Sequence, residues 1–163
     1  MKVGIISDTH DNLDAIDGAV KVLNSKGVGL VIHAGDVISP FAAGRFKGLK
    51  SPLKAVYGNN DGERTGLMLT FRELGAEIND FLEFRFEGKR FGVYHGAMKG
   101  VLKDLLKGKK YDVVVCGHTH QEEIKNIDGA LFINPGEACG YLTGRRSLCV
   151  LDLTTMKPET IEY

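Results

Sequence analysis

Short apolar runs, each closed by a polar cluster, recur along the first third of the chain. Lys2 to Ile6 form such a run and end in Ser7-Asp8-Thr9-His10-Asp11, the pattern of a buried strand emptying into a polar loop. Leu13, Ile16, Val20 and Leu23 then recur at helical spacing, with Asp11 or Asn12 as N-cap and Gly27 as stop. Leu30, Val31 and Ile32 make a second buried strand, ending in His33-Ala34-Gly35-Asp36. Strand, helix and strand in this order predict a parallel crossover, which sets Asp8 and Asp36 on the same edge of a sheet. After a short helix over residues 40 to 47, Leu53 to Tyr57 read as a third strand, closed by Gly58-Asn59-Asn60-Asp61-Gly62.

The pattern changes further on. Residues 65 to 75 are weakly helical, and then Leu82, Phe84 and Phe86 alternate with Glu83, Arg85 and Glu87, as in a half-buried strand. Gly88-Lys89 turns into Arg90 to Tyr94, giving a hairpin whose second strand ends in His95-Gly96. A helix over roughly 98 to 107 presents Val101, Leu102, Leu105 and Leu106 on one face. Tyr111 to Cys116 lead into Gly117-His118-Thr119-His120, and Glu122 to Ile133 read as a hairpin about Asp128-Gly129. Asn134-Pro135-Gly136 is expected to break the last of these strands. Residues 137 to 146 are loop-like, and the final strands fall at 147 to 153 and about 158 to 162. A first half containing helices and a second half rich in hairpins predict an α/β fold of two packed sheets with helices on the outer faces.

Composition narrows the function classes. With 163 residues, 43% of them hydrophobic, the chain is long enough to bury a full core, and one domain spanning residues 1–163 is expected. Lys plus Arg and Asp plus Glu both total 21, so nothing resembles a basic arm for nucleic acid. There is no strong nucleic-acid-binding signature, and no apolar stretch of membrane length; a cytoplasmic location is the expectation. The three cysteines, Cys116, Cys139 and Cys149, lack CxxC spacing and read as small apolar packing residues.

The chemistry lies in the polar clusters. A single HxH is an ordinary solvated pair, and only partners elsewhere give it meaning. Residues i and i+2 of an extended segment share a face, so His118 and His120 are expected to address one small volume with Thr119 turned away. The other strand ends supply partners: Asp8, His10, Asp36, Asn59 and His95. Carboxylate, imidazole and amide oxygen suit manganese, iron, zinc, nickel or magnesium rather than a thiolate-selected ion. Seven such groups are too many for one ion. They suit two ions bridged by a carboxylate, a geometry that serves phosphoryl transfer. A structural zinc site is excluded, because such sites are closed, four-ligand and rich in cysteine.

The order Asp-x-His, Gly-Asp, Gly-Asn, His-Gly and Gly-His-x-His, met along the chain at Asp8, Asp36, Asn59, His95 and His118, resembles the calcineurin-like metallophosphoesterase superfamily. Short length and the Gly58-Asn59-Asn60-Asp61 box are most similar to its small bacterial and archaeal phosphodiesterases of the YfcE type. The resemblance implies a four-layer α/β/β/α sandwich and hydrolysis of phosphate diesters by a hydroxide bridging two divalent ions. By position it implies that Asp8, His10 and His120 hold one ion, that Asn59, His95 and His118 hold the other, and that Asp36 bridges them. Manganese is the foremost cofactor, with nickel, iron, zinc or magnesium as alternatives.

One departure bears on mechanism. Many relatives carry a histidine after the ligand asparagine, thought to protonate the leaving group, where this chain has Asn60. Asp61 would by position orient that residue, on the leaving-group side. His33 is a candidate for supporting the ligands from behind, with a satisfied structural histidine as the alternative. Glu137 stands where a serine often follows Asn-Pro-Gly. The expected partner is a small phosphodiester, and a homodimer or higher homo-oligomer is left open. The alternatives are a phosphomonoesterase on the same site and a protein-binding scaffold resembling the retromer subunit of this fold.

Overall fold

The computed structural model describes residues 1–163. Two mixed sheets stack face to face, with helices on both outer surfaces. The first sheet contains β1 (Lys2–Ile6), β2 (Leu30–His33), β3 (Leu53–Val56), β4 (Glu77–Asn79), β10 (Ser147–Asp152) and β11 (Lys157–Glu162). Its order is β11-β10-β1-β2-β3-β4. The second contains β5 (Phe81–Phe86), β6 (Lys89–Tyr94), β7 (Val113–Val115), β8 (Glu122–Ile127) and β9 (Ala130–Pro135), in the order β5-β6-β7-β9-β8. Helices α1 (Leu13–Lys26), α2 (Pro40–Ala43) and α3 (Arg64–Glu73) cover the first sheet, and α4 (Lys99–Leu106) covers the second.

Alternation along the strands builds the layers. Val3 and Ile5 of β1 face Phe91, Val93, Val113 and Val115 of the second sheet, and this apolar layer holds the sheets together. Ile6 of β1 and Val31 of β2 point the other way, onto Ile16, Ala19 and Leu23 of α1. Each fully buried isoleucine or leucine here contributes about 1.5–3 kcal/mol. On the far side, Val114 and Phe132 carry Leu102, Leu105 and Leu106 of α4, three of the four residues expected on its apolar face; Val101 is outside this cluster. The caps of α1 also match expectation: Asn12 Oδ1 accepts from the Ala15 N–H at 3.1 Å, and Gly27 takes the left-handed conformation.

β1 and β2 run parallel in the register Val3–Leu30 to Ile6–His33, and β2, β3 and β4 continue in parallel. Asp8 and Asp36 accordingly leave neighbouring strand ends, as the crossover predicts. In the second sheet β6, β7 and β9 are also parallel.

Two local expectations need correction, and two further features were not read from the sequence. The helix over 40 to 47 is one turn of α2 followed by a 3-10 turn at Gly44–Gly48. β4 lies outside the elements read from the sequence, because it is three residues long and two of them are exposed. β9 runs on through Pro135 and ends at Gly136, whose φ of 80° takes the chain out of extended geometry. The sheet joined by the closing strands was likewise not read from the sequence: β10 and β11 lie in the first sheet, alongside β1. No helix is long and apolar enough to cross a membrane.

Candidate metal centre

The seven residues singled out in the sequence leave the C-terminal ends of β1, β2, β3, β6 and β7, and the structure brings them together between the sheets' edges. His10 Nε2 lies 3.8 Å from Asp8 Oδ1 and 3.5 Å from Asp36 Oδ2. The same Asp36 oxygen is 3.3 Å from His95 Nε2. His120 Nε2 is 3.6 Å from Asp8 Oδ1, while Asn59 Oδ1 lies 3.0 Å from His95 Nε2 and 2.8 Å from His118 Nδ1. The His10 and His120 rings stack with centroids 5.0 Å apart.

The loops that carry these groups are tightly tied. The N–H groups of Thr9 and His10 both donate to the Asp36 carbonyl, and the Asp8 N–H donates to Gly35. Asp8, His10, Asp36, His118 and His120 all have positive φ, between 42° and 71°. Non-glycine residues in that region carry strain that surrounding structure must hold, and such strain clusters at functional sites. Two glycines make the packing fit. A Cβ at Gly58 would fall on the Asp36 backbone and carboxylate, and one at Gly117 on Ser7 and Asp8.

His118 and His120 therefore meet the site by a different route from the one expected. They sit in a bend with left-handed φ, not in an extended segment, and they reach different neighbours, Asn59 and Asp8 respectively. The physical reason is that β7 ends at Val115, so the period of two no longer applies. Thr119 is turned away, its hydroxyl accepting from Asn134 Nδ2 at 3.0 Å. That amide also donates to the Gly117 carbonyl, so Asn134 shapes the loop.

The donor set suits a cation. Asp8 Oδ1 and His10 Nε2 are buried without hydrogen-bond partners, a costly state for polar atoms unless something else contacts them. Three-residue groups capable of holding an ion form at Asp8, His10 and His120 and at Asp8, Asp36 and His95. Asp36 is held well below the usual carboxylate range: burial acts to raise it, but His95 and the Asn60 donors outweigh burial. The His95 imidazole is raised, burial being overcome by Asp36, and His10 is raised chiefly by Asp8.

Residues 1–156 match the calcineurin-like phosphoesterase superfamily domain. The chain belongs to this superfamily. Over 154 residues it is 43% identical to a phosphodiesterase of Methanocaldococcus jannaschii, covering 93% of each chain. It superposes on a solved archaeal phosphodiesterase with a TM-score of 0.97 at 40% identity, each chain covered in full. It also shares its fold with the Vps29 protein of Entamoeba histolytica, at 19% identity and a TM-score of 0.73, covering 100% of this chain and 99% of the other. Metallophosphoesterases use divalent metal ions, and the carboxylate and imidazole groups above are of the kind that bind them.

In this phosphoesterase Asn60 stands beside the cluster: its N–H donates to Asp36 Oδ1 and its side-chain amide to Asp36 Oδ2, each at 2.8 Å. Asp61 is buried, and its carboxylate accepts the N–H groups of Asp36, Ile38 and Gly58, at 2.7 to 3.1 Å. It ties the loops after β2 and β3 together. His33 is fully buried, and burial depresses its pKa to about 4. Its Nδ1 accepts from the Gly35 N–H, so Nε2 carries the proton and donates to Thr9 Oγ1. It braces the two loops from beneath rather than facing the ligand cluster.

Glu137 is the residue whose place sequence reasoning missed. It is completely buried, and its Oε2 lies 2.7 Å from His120 Nδ1. Burial acts to raise its carboxyl, but His120 and the Thr143 donors bring it down to about 2. The available signal was its position between a Pro-Gly turn and Ala138-Cys139, an apolar setting for a charge. Arg145 pairs with Glu162 at 3.1 Å and lines a hollow of about 400 Å³ beside His120, whereas all three cysteines are buried thiols pushed up to about 12 by burial and hence unreactive.

Proposed function

We propose that this chain hydrolyses phosphate diesters using two divalent metal ions held by the seven clustered residues. One observation carries the proposal: Asp36 Oδ2 stands between His10 Nε2 and His95 Nε2, 3.5 and 3.3 Å away. That position supports a bridging role, with Asp8, His10 and His120 holding one ion and Asn59, His95 and His118 the other. When bound, the ions supply a hydroxide nucleophile at neutral pH and neutralise charge on the phosphoryl oxygens. Manganese is the ion we propose first, since oxygen and imidazole donors accept it readily.

The chain's own residues orient the ligands. The Ala34 carbonyl accepts from His95 Nδ1 at 2.8 Å, which leaves Nε2 facing Asp36 and Asn59. Asp61 fixes the backbone of Asp36 and Gly58 from opposite loops. Asn60 donates hydrogen bonds but no useful proton, so the leaving group must depart as a stable anion or take its proton from water or another residue. Aryl diesters and other esters of acidic alcohols are the substrates this favours. The high identity to a phosphodiesterase over nearly the whole chain supports diesters over monoesters.

The test is a screen of metal-stripped protein reconstituted with Mn²⁺, comparing bis(p-nitrophenyl) phosphate with p-nitrophenyl phosphate. Faster turnover of the diester is expected, with Asp36→Asn at background. Preferred turnover of the monoester would assign a phosphomonoesterase instead, and an Asp36→Asn variant as active as the parent would remove the two-ion mechanism.

A further inference from the structure

We infer that Glu137 is a positioning residue that holds His120 in the one neutral tautomer able to bind a metal ion through Nε2. The inference rests on the proposal that His120 is a ligand, and it concerns a residue outside the seven.

Glu137 Oε1 accepts the N–H of Leu142 at 2.9 Å, the N–H of Thr143 at 2.5 Å and the Thr143 hydroxyl at 2.8 Å. Oε2 faces His120 Nδ1 at 2.7 Å and the Cys139 thiol at 3.1 Å. Backbone N–H groups can only donate, so the loop side of this carboxyl has to be an acceptor. Three donors on Oε1 and the Cys139 thiol on Oε2 all favour the charged form, so the group is assigned as a carboxylate. His120 Nδ1 must then carry a hydrogen, and the lone pair of the neutral ring lies on Nε2, the atom 3.6 Å from Asp8 Oδ1. A carboxylate behind an imidazole fixes ring orientation and raises ligand basicity.

His120, Glu137 and Cys139 also lie close enough to form a separate ion site. The hydrogen bonds argue against it. Glu137's oxygens are occupied by donors, and Cys139 remains a thiol donating to one of them. The other end of Glu137 holds Leu142 and Thr143, so the same side chain joins a ligand of the site to the exposed loop bearing Tyr141 and Leu142.

Glu137→Gln separates the two ends of this contact. Glutamine has one acceptor oxygen, and two N–H donors on the loop side draw it there, which turns the amide NH2 toward His120. Nδ1 must then accept, and the hydrogen moves to Nε2, the atom needed for the metal. Long-range ¹H–¹⁵N NMR of the imidazoles, recorded on metal-free protein, reads the tautomer directly. The wild type should show Nδ1–H at His120 and Glu137→Gln should show Nε2–H. Calorimetric titration with Mn²⁺ should then show one class of site weakened about 10- to 100-fold. Glu137→Asp, which keeps an acceptor-only group, should retain the wild-type tautomer, and it carries the test if the glutamine variant fails to fold. An Nε2–H tautomer in the wild type, or an unchanged tautomer or unchanged Mn²⁺ affinity in Glu137→Gln, would overturn the inference. Absence of Mn²⁺ binding by the wild type, with Nδ1–H observed, would instead strike the two-ion proposal on which it rests.

Discussion

Under the proposed mechanism, Asn60 is the side chain that bears most directly on what the site can hydrolyse. Its amide donates to Asp36 Oδ2, which sets the side chain beside the cluster. Asn60→His should therefore gain most on alkyl diesters, whose leaving groups need a proton, by up to the 10²- to 10⁴-fold that general acid catalysis supplies. Aryl diesters should change little. Comparing kcat/KM for the two substrate classes in parent and variant checks this; an Asn60→His protein that gains nothing on alkyl esters contradicts it. A second residue-scale expectation concerns His33, buried and neutral with a pKa of about 4. A histidine depressed in the folded state binds its proton more readily when unfolded, so it costs stability as pH falls through the ordinary value toward the folded one. From pH 7 to pH 5 that cost is about 2 kcal/mol, given an unfolded value near 6.5 and about 4 in the fold. His33→Asn keeps an acceptor for the Gly35 N–H but cannot titrate. Urea unfolding of the metal-free proteins should show wild type losing about 2 kcal/mol more than the variant over that range; equal losses would mean that the ring is not held neutral.

The elements place these side chains through their ends, and close approach there depends on missing Cβ atoms. Gly58→Ala would drive a methyl into the backbone and carboxylate of Asp36, and should cost about 1–3 kcal/mol as an overpacked site does. Gly44 has right-handed helical φ and ψ with open space where a Cβ would stand. Gly44→Ala should be neutral or stabilising by roughly 0.4–1 kcal/mol. Thermal melts of the two variants check the contrast, and equal destabilisation would remove the steric account. Much at this scale was legible in the sequence. The apolar runs located β1, β2, β3 and β7, and each run's polar ending named a candidate ligand, because strand cores must be apolar while their ends need not be. β4 was not legible, since three residues with one buried side chain carry no periodicity. The left-handed backbone of Asp8, His10, Asp36, His118 and His120 was also hidden: it arises from hydrogen bonds between loops far apart in sequence. Glu137 was missed for a related reason. A buried carboxylate depends on donors that fold around it, and its own neighbours do not announce them.

At the scale of the whole molecule, the proposed function depends on two sheets meeting with their parallel strand ends at one edge. The first sheet brings Asp8, His10, Asp36 and Asn59; the second brings His95, His118 and His120. Contacts that cross from one sheet to the other, Asp36 to His95, Asn59 to both His95 and His118, and Asp8 to His120, define the cluster. The seven residues could be picked out from the sequence because each follows a strand, whereas which of them would touch required the packing of the layers. Ions bound across this junction should stabilise the fold as well as catalyse, since a ligand that binds only the folded state adds about 2.7 kcal/mol at 100 times its Kd. The most direct test of the central claim is a stoichiometric titration of metal-stripped protein with Mn²⁺ while hydrolysis of bis(p-nitrophenyl) phosphate is followed. The rate should rise from background and level off at about two equivalents per chain, as the proposed pair of ions requires. Full activity at one equivalent, or activity that survives without added metal, would contradict it.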